Sequence, residues 1–302
     1  ARGAVFFAPA MHHRMWAHPA MQQNATLLRE RGATFLGPVT GPLANGEIGA
    51  GRMMEPLDIV DALEDHGSRG DDLTGARILV TAGPTHEDLD PVRFLGNRSS
   101  GTMGYAIAAQ ALRRGAQVTL VAGPVHLPDP EGADVVHVRS AREMHEAVMT
   151  RFAETDVVVM AAAVADYRPT EAAPQKIKKG GKLTLELVRN PDILADVGAS
   201  RTHHPAVLVG FALETQDLAA AARGKLEKKQ ADLIVANAAR DGLGGPTNRA
   251  TLVDSTSATP LPEMSKAALA NQILDRVRAL LGSHPPAHAA SAEQETDHNA
   301  PN

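Results

Sequence analysis

Between Gly83 and Gly104 the chain sets Arg93 in a polar loop ahead of Asn97-Arg98-Ser99-Ser100-Gly101-Thr102-Met103-Gly104. Hydroxyls, a cation and small residues thus meet at what reads as a helix start. Free backbone N–H groups and the helix dipole there favour a phosphate, and Gly101 and Gly104 permit close approach of a ligand or a strand. The same residues also describe a capped helix with a serine-rich entry and no ligand. Further on, Gln175-Lys176-Ile177-Lys178-Lys179-Gly180-Gly181-Lys182 is basic and glycine-bearing. It suits a lid over phosphates or a solvated hairpin. Lys225 and Lys229 stand four apart, on one face of a helix, as a phosphate-facing pair or as a surface stripe. Phe211, at a strand end, suits packing on a base or filling the core. Three histidines, His12, His13 and His18, lie close in sequence, but no acid or cysteine is expected to complete a metal set.

These residues need a scaffold, and the pattern supplies one. Ile78 to Ala82, Gln117 to Ala122, Asp156 to Ala162, Ala206 to Phe211 and Leu233 to Ala236 are short apolar runs that read as buried strands. Helices are expected between them: Gly101 to Arg114, Ser140 with Glu143 as a capping box running to about Glu154, a start at Asn190-Pro191-Asp192, and Gln216 to Lys229. Ser265 caps a last helix to Leu281. Alternating strands and helices imply an α/β, doubly wound, Rossmann-like and mostly parallel sheet. Ligands of such sheets bind beyond the carboxyl ends of the strands. That rim carries Gly83-Pro84-Thr85, Ala122-Gly123, Ala163 to Asp166, Phe211 to Glu214 and Asn237.

Composition narrows the function. A net charge of -5 and only 3% aromatic residues give no support to a nucleic-acid partner. The absence of Cys removes disulfides, thiolate metal sites and a cysteine nucleophile, and is compatible with a cytoplasmic protein. The longest apolar run, Val157 to Ala165, is far short of the roughly 20 residues of a membrane span. A nicotinamide site fits poorly. Its fingerprint needs closely spaced glycines directly between strand and helix, whereas a long loop separates Gly83 from Gly101, and the second strand ends in Ala122-Gly123 rather than an acid.

Several segments together are specific. Thr81-Ala82-Gly83-Pro84-Thr85, Asp90-Pro91-Val92-Arg93-Phe94 and the Asn97 to Gly104 stretch resemble bacterial phosphopantothenate–cysteine ligases. So do Ala161 to Tyr167, Lys176 to Lys179, Asn190 to Leu194, Gly210-Phe211-Ala212 and Asp232 to Asn237, in the same order. The resemblance implies ligation of L-cysteine to 4′-phosphopantothenate with CTP and Mg²⁺, through an acyl-cytidylate. It assigns catalytic roles to Lys176 and Asn97, with Arg93 as companion. It places nucleotide contacts at Ser99, Ser100, Gly101, Ala162, Ala163, Asp166, Lys176, Pro191, Asp192, Ile193, Leu194, Phe211, Lys225 and Lys229. Metal ligands stay unassigned, with Asp166 the one suggestion. The family also implies a homodimer, with Asp232 to Asn237 near the contact.

The region before Leu63 resembles the end of a flavin-dependent phosphopantothenoylcysteine decarboxylase, through Pro9 to Trp16 and Leu43 to Met53. It departs from that family in three ways: it is expected to be a truncated remnant that lacks the earlier segments and most flavin contacts, His12 stands for the catalytic asparagine, and Asn45 stands for the cysteine proton donor. An amide cannot donate as a thiol does. FMN is therefore expected only with a complete decarboxylase domain, and this region reads as a partial flavoprotein-like α/β segment. The expected organisation is 1–63 for that segment, 64–72 as linker, 73–282 as the ligase domain and 283–302 as a disordered tail. An oxidoreductase on a similar fold, or a non-enzymatic flavin-fold scaffold, are the rival readings.

Overall fold

The computed structural model describes residues 4–282 apart from 57, 61, 64–70, 179, 203, 215–217, 239–244 and 246. The expected tail and most of the expected linker lie outside those residues. The chain divides into two compact units, Ala1–Arg69 and Gly70–Asn302.

In the smaller unit the elements run β1 (Val5–Phe7), α1 (His13–Trp16), α2 (Pro19–Glu30), β2 (Ala33–Phe35), β3 (Val39–Pro42) and β4 (Ile48–Arg52). Strands β1 and β2 pair in parallel, and β3 and β4 form an antiparallel hairpin. Proline at the first turn of α2, with the His18 ring accepting the Ala20 N–H, fixes that helix start. Phe7 and Phe35 stack across the strand pair with ring centroids 5.2 Å apart.

The larger unit is built on an eight-stranded sheet. Its elements are β5 (Arg77–Ala82), β6 (His86–Asp88), β7 (Phe94–Gly96), α3 (Thr102–Arg113), β8 (Gln117–Ala122), β9 (Asp134–His137), α4 (Ala141–Phe152), β10 (Val157–Met160), β11 (Tyr167–Pro169), β12 (Leu187–Arg189), α5 (Ile193–Ser200), β13 (Val207–Glu214), α6 (Leu218–Lys229), β14 (Leu233–Ala238), β15 (Thr247–Asn248), β16 (Ala250–Val253), β17 (Ala258–Pro260), β18 (Met264–Ser265) and α7 (Lys266–Leu281). The sheet order is β17-β16-β14-β13-β10-β5-β8-β9. From β9 to β14 all pairings are parallel; β16 and β17 add antiparallel. Numbered along the chain, the parallel strands stand in the doubly wound order 3-2-1-4-5-6, so the direction of winding reverses between β5 and β10.

Strand residues buried on both faces explain the continuous apolar runs. One core packs α3 and α7 against the sheet through Ile78, Val80, Ile107, Leu120, Ile273 and Leu274. The opposite face packs α4, α5 and α6 through Leu79, Met144, Val158, Val197, Leu208 and Leu226. Serine caps appear where expected: Ser140 accepts from the Glu143 N–H at 3.2 Å and Ser265 from the Ala268 N–H at 3.1 Å. The capping box at Ser140 is only half formed, because Glu143 turns to the Arg139 N–H instead. The helix expected to start at Asn190 is instead capped by Asp192, which accepts from the Ala195 N–H. Asn190 is used elsewhere, its amide donating to the Ala165 carbonyl at 2.8 Å. Strand β14, expected near a dimer contact, lies inside the sheet between β13 and β16. No described helix is long and apolar enough to cross a membrane.

Candidate active site at the carboxyl rim

At the switch point the ends of β5 and β10 stay together past the regular strands, through a parallel bridge between Pro84 and Ala163. Gly83 (φ 79°) turns the chain there, and Gly101 (φ 76°) packs against it. A side chain at either would also meet Val125. Gly104 lets α3 lie directly on β5, because a Cβ there would stand 2.6 Å from Ala82 Cβ and 2.9 Å from the Thr81 carbonyl. Helix α3 has no side-chain cap, so its first N–H groups face the rim without a side-chain acceptor. Ser99 Oγ accepts the Gly101 N–H, and Ser100 and Thr102 share a hydroxyl contact of 2.9 Å. Lys266, from the start of α7, donates to Thr102 Oγ1 at 2.6 Å, and burial lowers the pKa of its ammonium. Nothing in the spacing of the sequence pointed to Lys266.

The long loop before α3 is not irregular. It holds the hairpin β6–β7 and a turn organised by Asp90, whose carboxylate is fully buried. Burial pushes that carboxyl up, but the Val92, Ile177 and Arg93 N–H groups and the Arg93 charge outweigh it, and the net shift is downward. Arg93 is therefore engaged by the loop itself, with its guanidinium 2.8 Å from Asp90 and 3.2 Å from the Ile177 carbonyl. These contacts dock the basic segment, and Ala173 adds a bond from its N–H to the Leu89 carbonyl. Lys176 is exposed on that docked segment, which the antiparallel pair β11–β12 brackets. Asn97 reaches across the switch point, its amide donating to the Val164 carbonyl at 2.9 Å.

Beyond β10 and β13 a cavity of about 550 Å³ opens, within the usual range for small-molecule sites. Of the expected nucleotide contacts, Ala162, Asp166, Pro191, Asp192, Ile193, Leu194, Phe211, Lys225 and Lys229 all line it. Arg93, Asn97, Ser99, Ser100, Gly101, Ala163 and Lys176 are not in its wall. Among these, Asn97 touches it through Val164, and Ser99 to Gly101 sit at the start of α3. Phe211 does both things its position allowed, lining the cavity while packing against the core.

The cavity's charge is set by α6. Lys225 donates to the Phe211 carbonyl at 2.6 Å, and Lys229 pairs with Asp192. Burial would raise the Asp192 pKa, but Lys229, the Ala195 N–H and Lys225 together lower it. Arg189 and Lys228 also line the cavity and were missed in the sequence; Asn237, expected on the rim, is buried there, and its side-chain oxygen has no hydrogen-bond partner among the described residues. A second cavity, of about 460 Å³, opens at the opposite edge, around the amino ends of β5 and β8. Its lining includes Arg77, Asp134, Arg151 and Glu154 and none of the expected site residues.

The smaller unit corrects one expectation. Glu47, carried by the β3–β4 hairpin, lies 2.9 Å from His12 Nε2 and 3.4 Å from His13 Nδ1. An acid does therefore join the histidines, while His18 is occupied in capping α2.

Residues 73–281 match the family described as DNA/pantothenate metabolism flavoprotein C-terminal domain, and residues 1–67 match the flavoprotein family. The coenzyme A biosynthesis bifunctional protein CoaBC of Mycobacterium bovis is 46% identical over 305 residues, covering 93% of this chain and 72% of the relative. The protein of the same name from Vibrio vulnificus is 44% identical over 284 residues, covering 92% and 70%. Among solved structures, the C-terminal domain of a CoaBC protein matches with a TM-score of 0.62 at 40% identity, covering 71% of this chain and all of that domain.

Proposed function

Because the chain belongs to the CoaBC family of coenzyme A biosynthesis proteins, we propose that its larger unit joins L-cysteine to 4′-phosphopantothenate with CTP. The observation that carries this reading is the single rim cavity that gathers Asp166, the Pro191 to Leu194 turn, Phe211, Lys225 and Lys229. Three lysines and Arg189 suit a polyanion; the aromatic face of Phe211 and the backbone of the Asn190 to Asp192 turn suit a base.

In the proposed first step a carboxylate oxygen of phosphopantothenate attacks the α-phosphorus of CTP, and pyrophosphate leaves. In the second the cysteine amine attacks the acyl carbon, CMP leaves, and the amine gives up a proton. Neither step needs a protein nucleophile, so a chain without Cys can perform both. Each needs charge neutralised and a reacting carbonyl held still. Lys176 is assigned to the charge that develops in the first step. The Asn97 amide is assigned to the acyl oxygen. The uncapped start of α3, with Ser99, Ser100 and Gly101, is assigned to phosphate oxygens, and Ala162 and Ala163 leave room at the switch point. Mg²⁺ would supply charge neutralisation on the triphosphate. Asp192 is tied to Lys229, which leaves Asp166 as the cavity's other carboxylate to hold it. Arg93 is placed as the residue that seats the Lys176 segment. A homodimer in the cytoplasm completes the reading.

For the smaller unit the flavoprotein match makes a flavin the relevant group. Its cavity of about 380 Å³ is lined by His12, Asn45 and Arg52 among mainly apolar groups. With an amide at 45 the residues present do not supply the thiol acid that decarboxylation would need.

The test is pyrophosphate release from phosphopantothenate and CTP with Mg²⁺, with and without cysteine. Lys176→Gln is expected to abolish the first half-reaction. Asn97→Asp is expected to slow passage through the acyl-cytidylate. No pyrophosphate under any condition sinks the ligase reading, and unchanged turnover in both variants sinks the residue assignment. An oxidoreductase reading gains nothing from the doubly wound strand order, since the β6–β7 hairpin occupies the loop where a dinucleotide fingerprint needs a tight glycine turn.

A further inference from the structure

We propose that His12, His13 and Glu47 form a binding site for a divalent transition-metal ion in the smaller unit. One ligand atom from each residue lies within 4.8 Å of the others. The measured pairs, His12 Nε2 to Glu47 Oε2 at 2.9 Å and His13 Nδ1 to Glu47 Oε2 at 3.4 Å, match the separations expected of atoms each about 2.0–2.2 Å from a common ion. Two imidazole nitrogens and one carboxylate oxygen favour zinc, cobalt, nickel or copper over magnesium or calcium, which take oxygen ligands.

The backbone brings the three together. His12 caps α1 and His13 begins it. Glu47 is presented by the tight turn between β3 and β4, where Gly46 (φ 83°) and a bond from the Leu43 N–H to the Glu47 carbonyl fix the chain. Gly49 leaves room for the His13 ring, because a Cβ there would stand 2.7 Å from His13 Cβ.

A plain hydrogen bond between His12 and Glu47 accounts for only part of this arrangement. His13 Nδ1 is buried, points at the carboxylate, and has no hydrogen-bond partner among the described residues. Leaving such an atom unanswered is costly, and an ion between the rings and the carboxylate answers it. Coordination through His12 Nε2 would move the ring proton to Nδ1 and give up both the 2.9 Å bond to Glu47 and the 3.2 Å bond from the Arg14 N–H, exchanging them for metal bonds from His12 and Glu47. The side chains of His12, His13 and Glu47 keep 30%, 31% and 47% of their exposure, so an ion can reach the site.

The experiment is titration of the metal-stripped full chain with Co²⁺, read by visible ligand-field absorption and calorimetry. One equivalent is expected to bind tightly. Because the chain carries 13 histidines, the variants decide. Glu47→Gln and His12→Asn should each weaken that equivalent by at least about 100-fold, since even residues that only support metal ligands often cost about 10–100-fold. On the unaltered chain, substoichiometric Ni²⁺ should broaden the ring resonances of His12 and His13 before those of other histidines. Absence of a tight equivalent, wild-type affinity in both variants, or earlier broadening elsewhere would each overturn the site.

Discussion

Lys229 and Asp192 show how one pair can serve two tasks. The ion pair fixes the start of α5, and it stands in the wall of the cavity. Lys229→Ala is expected to remove a charge-assisted contact worth about 1.5–3 kcal/mol, and so to weaken CTP binding by roughly 10- to 100-fold, measured by calorimetry. A value unchanged from wild type would place the nucleotide elsewhere. Asp254 offers a different test. Burial alone would raise its pKa, but the Thr256 hydroxyl and N–H, the Ser257 hydroxyl and Arg276 hold the carboxyl far below its ordinary value of 3.8. Its folded pKa is depressed, so its stabilisation is complete above about pH 5 and is lost progressively as pH falls through the unfolded value toward the folded one. Urea midpoints should therefore drop between pH 5 and pH 3 in the wild type, and drop less in Asp254→Asn. Identical slopes would show that other carboxylates carry the acid sensitivity. The capping residues Ser140 and Ser265 were legible in the sequence because a cap answers to backbone within three residues. Lys266, resting on Thr102 from the far end of the unit, was not.

Helix α3 on strand β5 is the element pair that shapes the rim. Their close approach depends on Gly104, where an added methyl would meet Ala82 Cβ and the Thr81 carbonyl. Neither neighbour is a flexible side-chain end, so Gly104→Ala should cost about 1–3 kcal/mol. Thermal melting should show this as a fall of at least about 2 °C, together with weaker CTP binding, as the start of α3 shifts. An unaltered melting temperature would mean that the helix can back away freely. The glycine spacing was readable as close approach, and β8 runs from Gln117 to Ala122 as its apolar pattern implied. The β6–β7 and β11–β12 hairpins were not readable. They are three residues a strand, too short for alternation to register, and tertiary bonds such as Asp90 with the Ile177 N–H hold the loops beside them.

Across the larger unit, Arg114 joins segments that are distant in sequence. It ends α3, and its guanidinium, in a side chain almost without solvent contact, takes Asp72 at 2.8–2.9 Å and Asp275 of α7 at 2.9 Å. Asp72 therefore belongs to this unit's packing even though its composition read as linker. Arg114→Met should destabilise the unit by about 3 kcal/mol, at the low end for removing one partner of a buried pair, because Asp72 and Asp275 keep some solvent. Chemical denaturation of the full chain measures this, and a loss under about 1 kcal/mol would show the network to be dispensable. The sequence by itself determined the doubly wound α/β class, the helix starts at Ser140 and Ser265, and the set of rim residues, because apolar period, cap chemistry and strand-end position are local properties. Only the tertiary structure decided that β5 and β10 meet at the switch point, that Arg189 and Lys228 share a cavity with Phe211, and that Glu47 closes on His12 and His13. Those are outcomes of strand order and hairpin register, which bring together residues whose separation along the chain carries no trace of their contact.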